Sequence, residues 1–359
     1  MTPMHPQENS VSRRPARGTG TSSALTRVWQ VALVLGVVLA LLAPQPASAT
    51  FPGRNGRIAF DSPDGFIRSM RPDGSDVRRL AVGNDPVYSP NGRRIAFVAY
   101  AAATGADIWV MGAGGANRVK VTSHIAWEHQ PMWSADGRFL YFLSDRSGRD
   151  DIFRVRSTVP YGKAQPIVRA GRFDVPTNCS GDWTVETAAI HDITMSPLGD
   201  YLGFGLSSQI SEGACRFGPA YRWARARLDG AEILLLDNEV LCPNWGPGGT
   251  SLAGIRALPT SEPGDRDRVV TFRSDQSGEK VVFTEMAAGE YFEVGCPAWS
   301  PNGGKHLIFT RDVWEVVGEE QNAVHVVSGI FRTLSNGTGA VVKISGRRAY
   351  HIDWQPIPG

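Results

Sequence analysis

The chain has 359 residues, 37 of them basic and 35 acidic, with a formal charge of +2 and an apolar share of 42%. That share suffices for a buried core and excludes a chain left disordered for want of apolar side chains. The charge lacks the basic surplus of a nucleic-acid binder, the more so because residues 1–49 hold Arg13, Arg14, Arg17 and Arg27 against Glu8 alone, leaving 33 basic and 34 acidic residues in the remainder.

The basic start is followed by an apolar run from Val31 to Ala43, then Pro44, Pro46 and Ala47-Ser48-Ala49. This order predicts a signal peptide over residues 1–49, cleaved after Ala49 to leave Thr50 as the new terminus. An uncleaved anchor is the alternative and the only expected membrane contact, but the run is short against the ~20 apolar residues of a bilayer span. Ser12-Arg13-Arg14 suggests twin-arginine export, yet Pro15-Ala16 follows where that signal requires bulky apolar residues, so the general secretory route is expected. The location implied is secreted or periplasmic. No cysteine precedes Cys179, so lipid attachment at a processed N-terminal cysteine is excluded.

Residues 50–359 read as one domain. An isolated strand, Gly56-Arg57-Ile58-Ala59-Phe60-Asp61-Ser62, comes first. A turn motif then recurs: Pro86-Val87-Tyr88-Ser89-Pro90-Asn91-Gly92, Pro131-Met132-Trp133-Ser134-Ala135-Asp136-Gly137, Thr194-Met195-Ser196-Pro197-Leu198-Gly199, Pro243-Asn244-Trp245-Gly246-Pro247-Gly248, Pro297-Ala298-Trp299-Ser300-Pro301-Asn302-Gly303, and a truncated Asp353-Trp354-Gln355-Pro356. After each complete copy comes a short apolar strand such as Ile95-Ala96-Phe97 or Leu140-Tyr141-Phe142, and then alternating runs such as Asp107-Ile108-Trp109-Val110-Met111. Alternation of period two places side chains on opposite sheet faces. Four short antiparallel strands in a repeat of roughly 45 to 60 residues make a propeller blade. The expected fold is therefore all-β, a six-bladed β-propeller of four-stranded antiparallel blades. Its closure pairs the two ends of the domain: an inner strand from residues 351–356 joins three outer strands from about 56 to 82, which leaves no open sheet edge. Tyr88, Trp133, Trp245, Trp299 and Trp354 are expected to fill the diverging gaps between blades, each contributing on the order of 4 to 6 kcal/mol of burial.

The Trp-Ser-Pro-Asp-Gly type of turn, the Ile-Ala-Phe strand, the Ser144-Asp145-Arg146-Ser147-Gly148 turn into Asp151-Ile152-Phe153, and the terminal Asp353-Trp354-Gln355-Pro356 resemble the WD40-like repeats of TolB-type six-bladed propellers. The resemblance covers about residues 56–356 and speaks for the repeat more than for the biology. TolB itself has a small α/β domain before its propeller; here the propeller begins almost at the predicted cleavage site, so binding to Tol-Pal partners is not implied. Peptidases with similar propellers append a hydrolase domain after the last blade, and none is expected on a sequence that ends three residues after Pro356.

An even set of four cysteines in an exported protein favours bridges. Blade topology places Cys179 on a crossover and Cys215 on the next loop of the same entrance side, a preferred pair. Cys242 and Cys296 occupy equivalent places in adjacent blades, each directly before the motif proline, and bridge if their Cα atoms approach within ~7 Å. No two cysteines are close enough in sequence for a zinc knuckle.

Aligning the repeats puts one residue per blade at the start of the innermost strand, where the axial channel opens: Asp85, Gln130, Asp192, Cys242, Cys296 and His351. Asn84, Glu128, His129, His191, Tyr350 and Asp353 lie beside them. The candidate ligand-binding set is Asp85, His129, Gln130, His191, Asp192 and His351. A wet channel places some polar residue there in any propeller, so this set competes with a purely structural reading. Two carboxylates and two imidazoles also make a conceivable metal set, but local spacing gives it no support. His124 and His129 lack the helical context of a metalloprotease pair. No Gly-x-Ser-x-Gly elbow occurs, and the glycine-rich Gly112-Ala113-Gly114-Gly115 and Gly246-Pro247-Gly248-Gly249 lack the ending of a phosphate loop. No cofactor, metal or catalytic residue is assigned. The expected function is a non-catalytic exported scaffold that binds a protein or cell-envelope ligand at its axial loop face. A hydrolase or lyase working in the same funnel, with His191 or His351 as base and metal assistance as an option, is the alternative.

Overall fold

The computed structural model describes residues 51–101, 105–179, 182–208, 222–236, 240–256, 268–284, 290–317 and 322–359. Its strands form six antiparallel sheets, and no described helix is long and apolar enough to cross a membrane. Blade 1 consists of Ile352–Ile357, Arg54–Asp61, Phe66–Met70 and Arg78–Val82, in that order from the axis. The last strand of the chain thus pairs with the first, with Trp354 opposite Ile58 and Asp353 opposite Ala59. Blades 2 and 3 run Asn84–Tyr88 to Val119–Lys120 and Glu128–Trp133 to Gln165–Val168, and blade 5 runs Val240–Trp245 to Lys280–Thr284, each with four strands.

Blades 4 and 6 have five strands. In blade 4 the long strand Asp182–Met195 supplies the inner strand with its second half, while its first half pairs with an added strand, Asp174–Cys179. In blade 6, Glu290–Val294 and Ala298–Trp299 both pair with His306–Val317, which forms a long hairpin with Asn322–Leu334. The four-stranded blade holds as the unit. These two sheets continue past the blade because their hairpins have residues to spare on the axial loop side.

Among the described residues, six apolar clusters fill the six gaps between neighbouring blades. Tyr88, Phe97 and Ile67 join blades 1 and 2, and Trp133, Phe142 and Ile108 join blades 2 and 3. The remaining gaps hold Tyr141 with Phe204, Trp223 with Trp245, Trp299 with Ile255, and Trp354 with Ile308. All five aromatic anchors are buried, and Met195 occupies the sixth anchor position. The indoles also bond across gaps: Trp133 Nε1–H donates to the Val87 carbonyl at 3.1 Å, and Trp299 Nε1–H to the Asn244 carbonyl at 2.9 Å.

The turn motif has a local cause. Ser134 Oγ–H donates to Asp136 Oδ1 at 2.6 Å and accepts the Phe139 N–H at 2.9 Å, which fixes the turn and starts the next strand. Ser300 repeats the arrangement with Asn302 and His306. The motif glycine permits the left-handed turn, as at Gly92 with φ 64°, and the Gly92 carbonyl accepts from Gln355 Nε2 across the gap between blades 1 and 2 at 2.7 Å.

Trp354→Ala removes the ring that fills the closing gap and is expected to lower the unfolding free energy by about 3–5 kcal/mol in urea titrations. A loss near zero contradicts a closure that depends on this side chain.

Candidate functional site

The inner strands of blades 2 to 5 break register at the same place, between Asn84 and Val87, His129 and Met132, His191 and Thr194, and Leu241 and Asn244. Each break is a bulge whose central residue takes a left-handed backbone: Asp85 (φ 52°), Gln130 (φ 48°), Asp192 (φ 50°) and Cys242 (φ 39°). Such conformations cost of order 1–3 kcal/mol each for non-glycine residues and persist where surrounding contacts enforce them. Three of the four precede proline, which disfavours helical backbone in the residue before it. The bulges re-aim these residues toward the axis, where they line a cavity of about 130 Å³ with His351, Cys296 and, deeper, Asp353.

Bonds between successive blades hold the bulges. Asp61 Oδ2 of blade 1 accepts the Asp85 N–H at 3.2 Å, and Asp85 Oδ2 of blade 2 accepts the Gln130 N–H at 3.0 Å. Gln130 Oε1 of blade 3 accepts the Ile193 N–H at 3.3 Å, while its Nε2 donates to Asp192 Oδ1 at 3.4 Å. Asp192 in turn accepts the Cys242 N–H of blade 5. Between blades 5 and 6 a disulfide joins Cys242 and Cys296, whose Cα atoms are 5.6 Å apart. The result is a collar in which a side chain of each of blades 1 to 4 fixes the backbone of the next blade and a disulfide continues the link to blade 6.

His351 enters from the loop before the closing strand. Its Nδ1 lies 2.9 Å from Asp85 Oδ1 and 3.0 Å from Asp61 Oδ2, and its N–H donates to Asp61 Oδ1 at 2.7 Å. Burial works against its charge, but the charge of Asp85 and the hydrogen bonds of both carboxylates outweigh it and hold the imidazole well above its usual 6.5. Burial likewise works against ionised Asp85 and Asp192. The charge of His351 and the Gln130 N–H hold Asp85 low, and the hydrogen bond and charge of His191 hold Asp192 low. Asp61, Asp85 and His351 are close enough together to hold a cation between their ligand atoms.

Of the residues expected from the sequence, Asp85, Gln130, Asp192 and His351 meet in this collar. His191 sits on the rim, where Nδ1 contacts Asp192 Oδ2 at 2.8 Å and the ring lies over Gly205, at which a Cβ would approach to 2.3 Å. His129 points elsewhere: one residue before Gln130 on the strand, it pairs with Asp150 at 3.2 Å and does not line the cavity. Asp61 escaped the sequence reading, although an acid ending an otherwise apolar strand was its visible signal. The Cys179 to Cys215 pairing lies outside the described residues. Tyr88, Trp133 and Trp245 are all 1% exposed or less and face the gaps rather than a ligand.

Comparison with known proteins follows the same lines. The family model for the TolB beta propeller domain matches residues 77–191. The uncharacterized peptidase YuxL of Bacillus subtilis (strain 168) is 29% identical over 113 residues, and the match spans 26% of this chain and only 16% of that protein's length. Among solved structures, TolB from Acinetobacter baumannii superposes with a TM-score of 0.58 at 13% identity, over 90% of this chain and 71% of that one. A putative TolB from Agrobacterium tumefaciens gives 0.50 at 17% identity, over 72% and 88%. At these identities the likeness is one of fold.

Below the collar, Asp353 faces the channel with Oδ2 accepting the Tyr88 N–H at 2.6 Å. Burial pushes its carboxyl from 3.8 up to about 7, with only the backbone N–H groups of Tyr88 and Trp354 to offset it. Between those two values the folded state holds a proton that the unfolded chain has lost, so stability falls as pH rises from about 4 to about 7. His351 acts in the same direction: its stabilisation is complete below 6.5 and is lost as pH rises through its raised folded value. Asp85 and Asp192, held low, withdraw stability only in acid. Asp353→Asn is therefore expected to match the wild type in urea unfolding at pH 4 and to exceed it by about 1–3 kcal/mol at pH 8. A difference independent of pH contradicts the placement of this carboxyl.

Proposed function

We propose that this chain, a TolB-like six-bladed β-propeller, is an exported scaffold that binds a protein or cell-envelope ligand at its axial loop face. The collar carries this reading. Four consecutive blades adopt costly left-handed bulges to turn Asp85, Gln130, Asp192 and Cys242 toward one axis, and strain maintained in register at a cavity mouth suits recognition better than mere wall-building. The added strands of blades 4 and 6 extend from the same end, so the collar lies beside the largest elaborations of the ring. The charged leader, with cleavage after Ala49 and a mature domain from residue 50 to 359, belongs to the same proposal, and a disulfide between Cys242 and Cys296 suits an oxidising compartment.

A hydrolytic or lytic reaction in the funnel is the second reading. Asp353 favours it, because a carboxyl that titrates near 7 suits a general base. Against it, Asp85 and Asp192 are weak bases once held low, and both are occupied in fixing the next blade's backbone.

A photo-reactive residue at exposed Val82, Ile125 or Tyr350 on the funnel face is expected to cross-link to envelope components. The same residue at Asn91 or Asp136, on turns of the opposite face, is expected to give none. Equal labelling from both faces, or labelling from the turns alone, contradicts the proposal.

A further inference from the structure

Beside the funnel, the second strand of blade 2 and the crossover into blade 3 present an apolar patch. Tyr100 is 56%, Ile125 85% and Trp127 49% exposed, and the Tyr100 and Trp127 rings meet edge to face with centroids 5.3 Å apart. The backbone of Trp127 is anchored, since its N–H donates to Asp145 Oδ1 at 2.8 Å. Single exposed apolar side chains are ordinary, but an exposed aromatic pair in mutual contact, with a large aliphatic side chain two residues along the chain, marks a place where another molecule packs. Trp127 precedes Gln130 by three residues of nearly extended chain, which sets the patch about 10 Å from the collar at ~3.3 Å per residue.

The chemistry of the collar specifies what spans that distance. Among the described residues lining the axial cavity are Asp85, Asp192 and Asp353 with one imidazole, His351, and no lysine or arginine. His351 is already shared between Asp85 and Asp61. An anionic segment would meet like charge there, and a neutral apolar one would strip water from carboxylate oxygens without replacing it. A lysine ammonium or arginine guanidinium brings donors and charge to acceptors that face the cavity.

Resting on the reading of this face as a binding surface, the geometry points to one class of partner. It is an extended segment of another protein that seats a lysine or arginine side chain in the collar and, about three residues along, an apolar side chain on Tyr100, Ile125 and Trp127. The patch supplies packing and the collar supplies the choice of side chain.

Short randomised peptides displayed against the whole exported chain test this. The expected binders carry a lysine or arginine about three residues from a large apolar side chain. Changing that cationic residue to glutamine in a selected peptide is expected to weaken binding to the wild type at least ~10-fold, and to change nothing further on a protein carrying Asp85→Asn and Asp192→Asn. Trp127→Ala, at an exposed side chain, is expected to weaken binding by about 10-fold with an unchanged Tm. Binders without a cationic residue that still lose affinity on the Trp127→Ala protein overturn the inference and leave the binding face standing. Binders indifferent to every funnel and rim change overturn both readings, and a library that yields no binder overturns the inference. The peptide-side substitution and Trp127→Ala keep the test decisive even where the paired aspartate changes disturb folding.

Discussion

The pairing of Ile352–Ile357 with Arg54–Asp61 is the constraint on which the rest depends. Without it, blade 1 lacks an inner strand and the apolar cluster shared by blades 6 and 1 opens to water. That strand and the residue before it serve three layers at once. Trp354 fills the closing gap, Asp353 faces the channel, and His351 completes the collar. Closing the ring and building the site are therefore one event, because the closing segment brings the His351 imidazole against both Asp61 and Asp85.

The collar shows how strain and hydrogen bonding balance in a ring. A left-handed aspartate or glutamine before proline is unfavourable by itself. Here the N–H of each bulged residue, or of its immediate neighbour, donates to a side chain of the preceding blade, a bond that in the partly buried interior contributes about 1–3 kcal/mol when its acceptor is charged. Conformational cost and compensation are of similar size, so the arrangement persists while leaving carboxylate oxygens turned toward the cavity. The Cys242 to Cys296 link takes over between blades 5 and 6.

The blade pattern was legible in the sequence because each turn is specified locally: a serine that caps its own turn, a glycine with positive φ, and an aromatic anchor recur together, and local causes leave local traces. The closing strand was legible for the complementary reason, since an orphan strand at one end and a truncated motif at the other have only each other to pair with. What lay beyond the sequence is set by contacts between distant strands. The distinction between His129 and Gln130 depends on a bulge that sends adjacent residues to different surroundings. Asp61 acquires meaning only when His351, 290 residues away, is laid against it. The fifth strands of blades 4 and 6 were hidden because a long hairpin reads as loop until its partner strand is known. The rim aromatics Tyr100 and Trp127 come from different blades, and neither signals the other along the chain.

Native-state hydrogen exchange tests the closure most directly. If the two ends of the domain form one cooperative sheet, the backbone amides of the Ile352–Ile357 strand that bond to Arg54–Asp61 should exchange as slowly as those of the inner strands of blades 2 and 3, opening only with global unfolding. Amides of the terminal strand that exchange orders of magnitude faster than the neighbouring inner strands, in a protein otherwise folded, would contradict it.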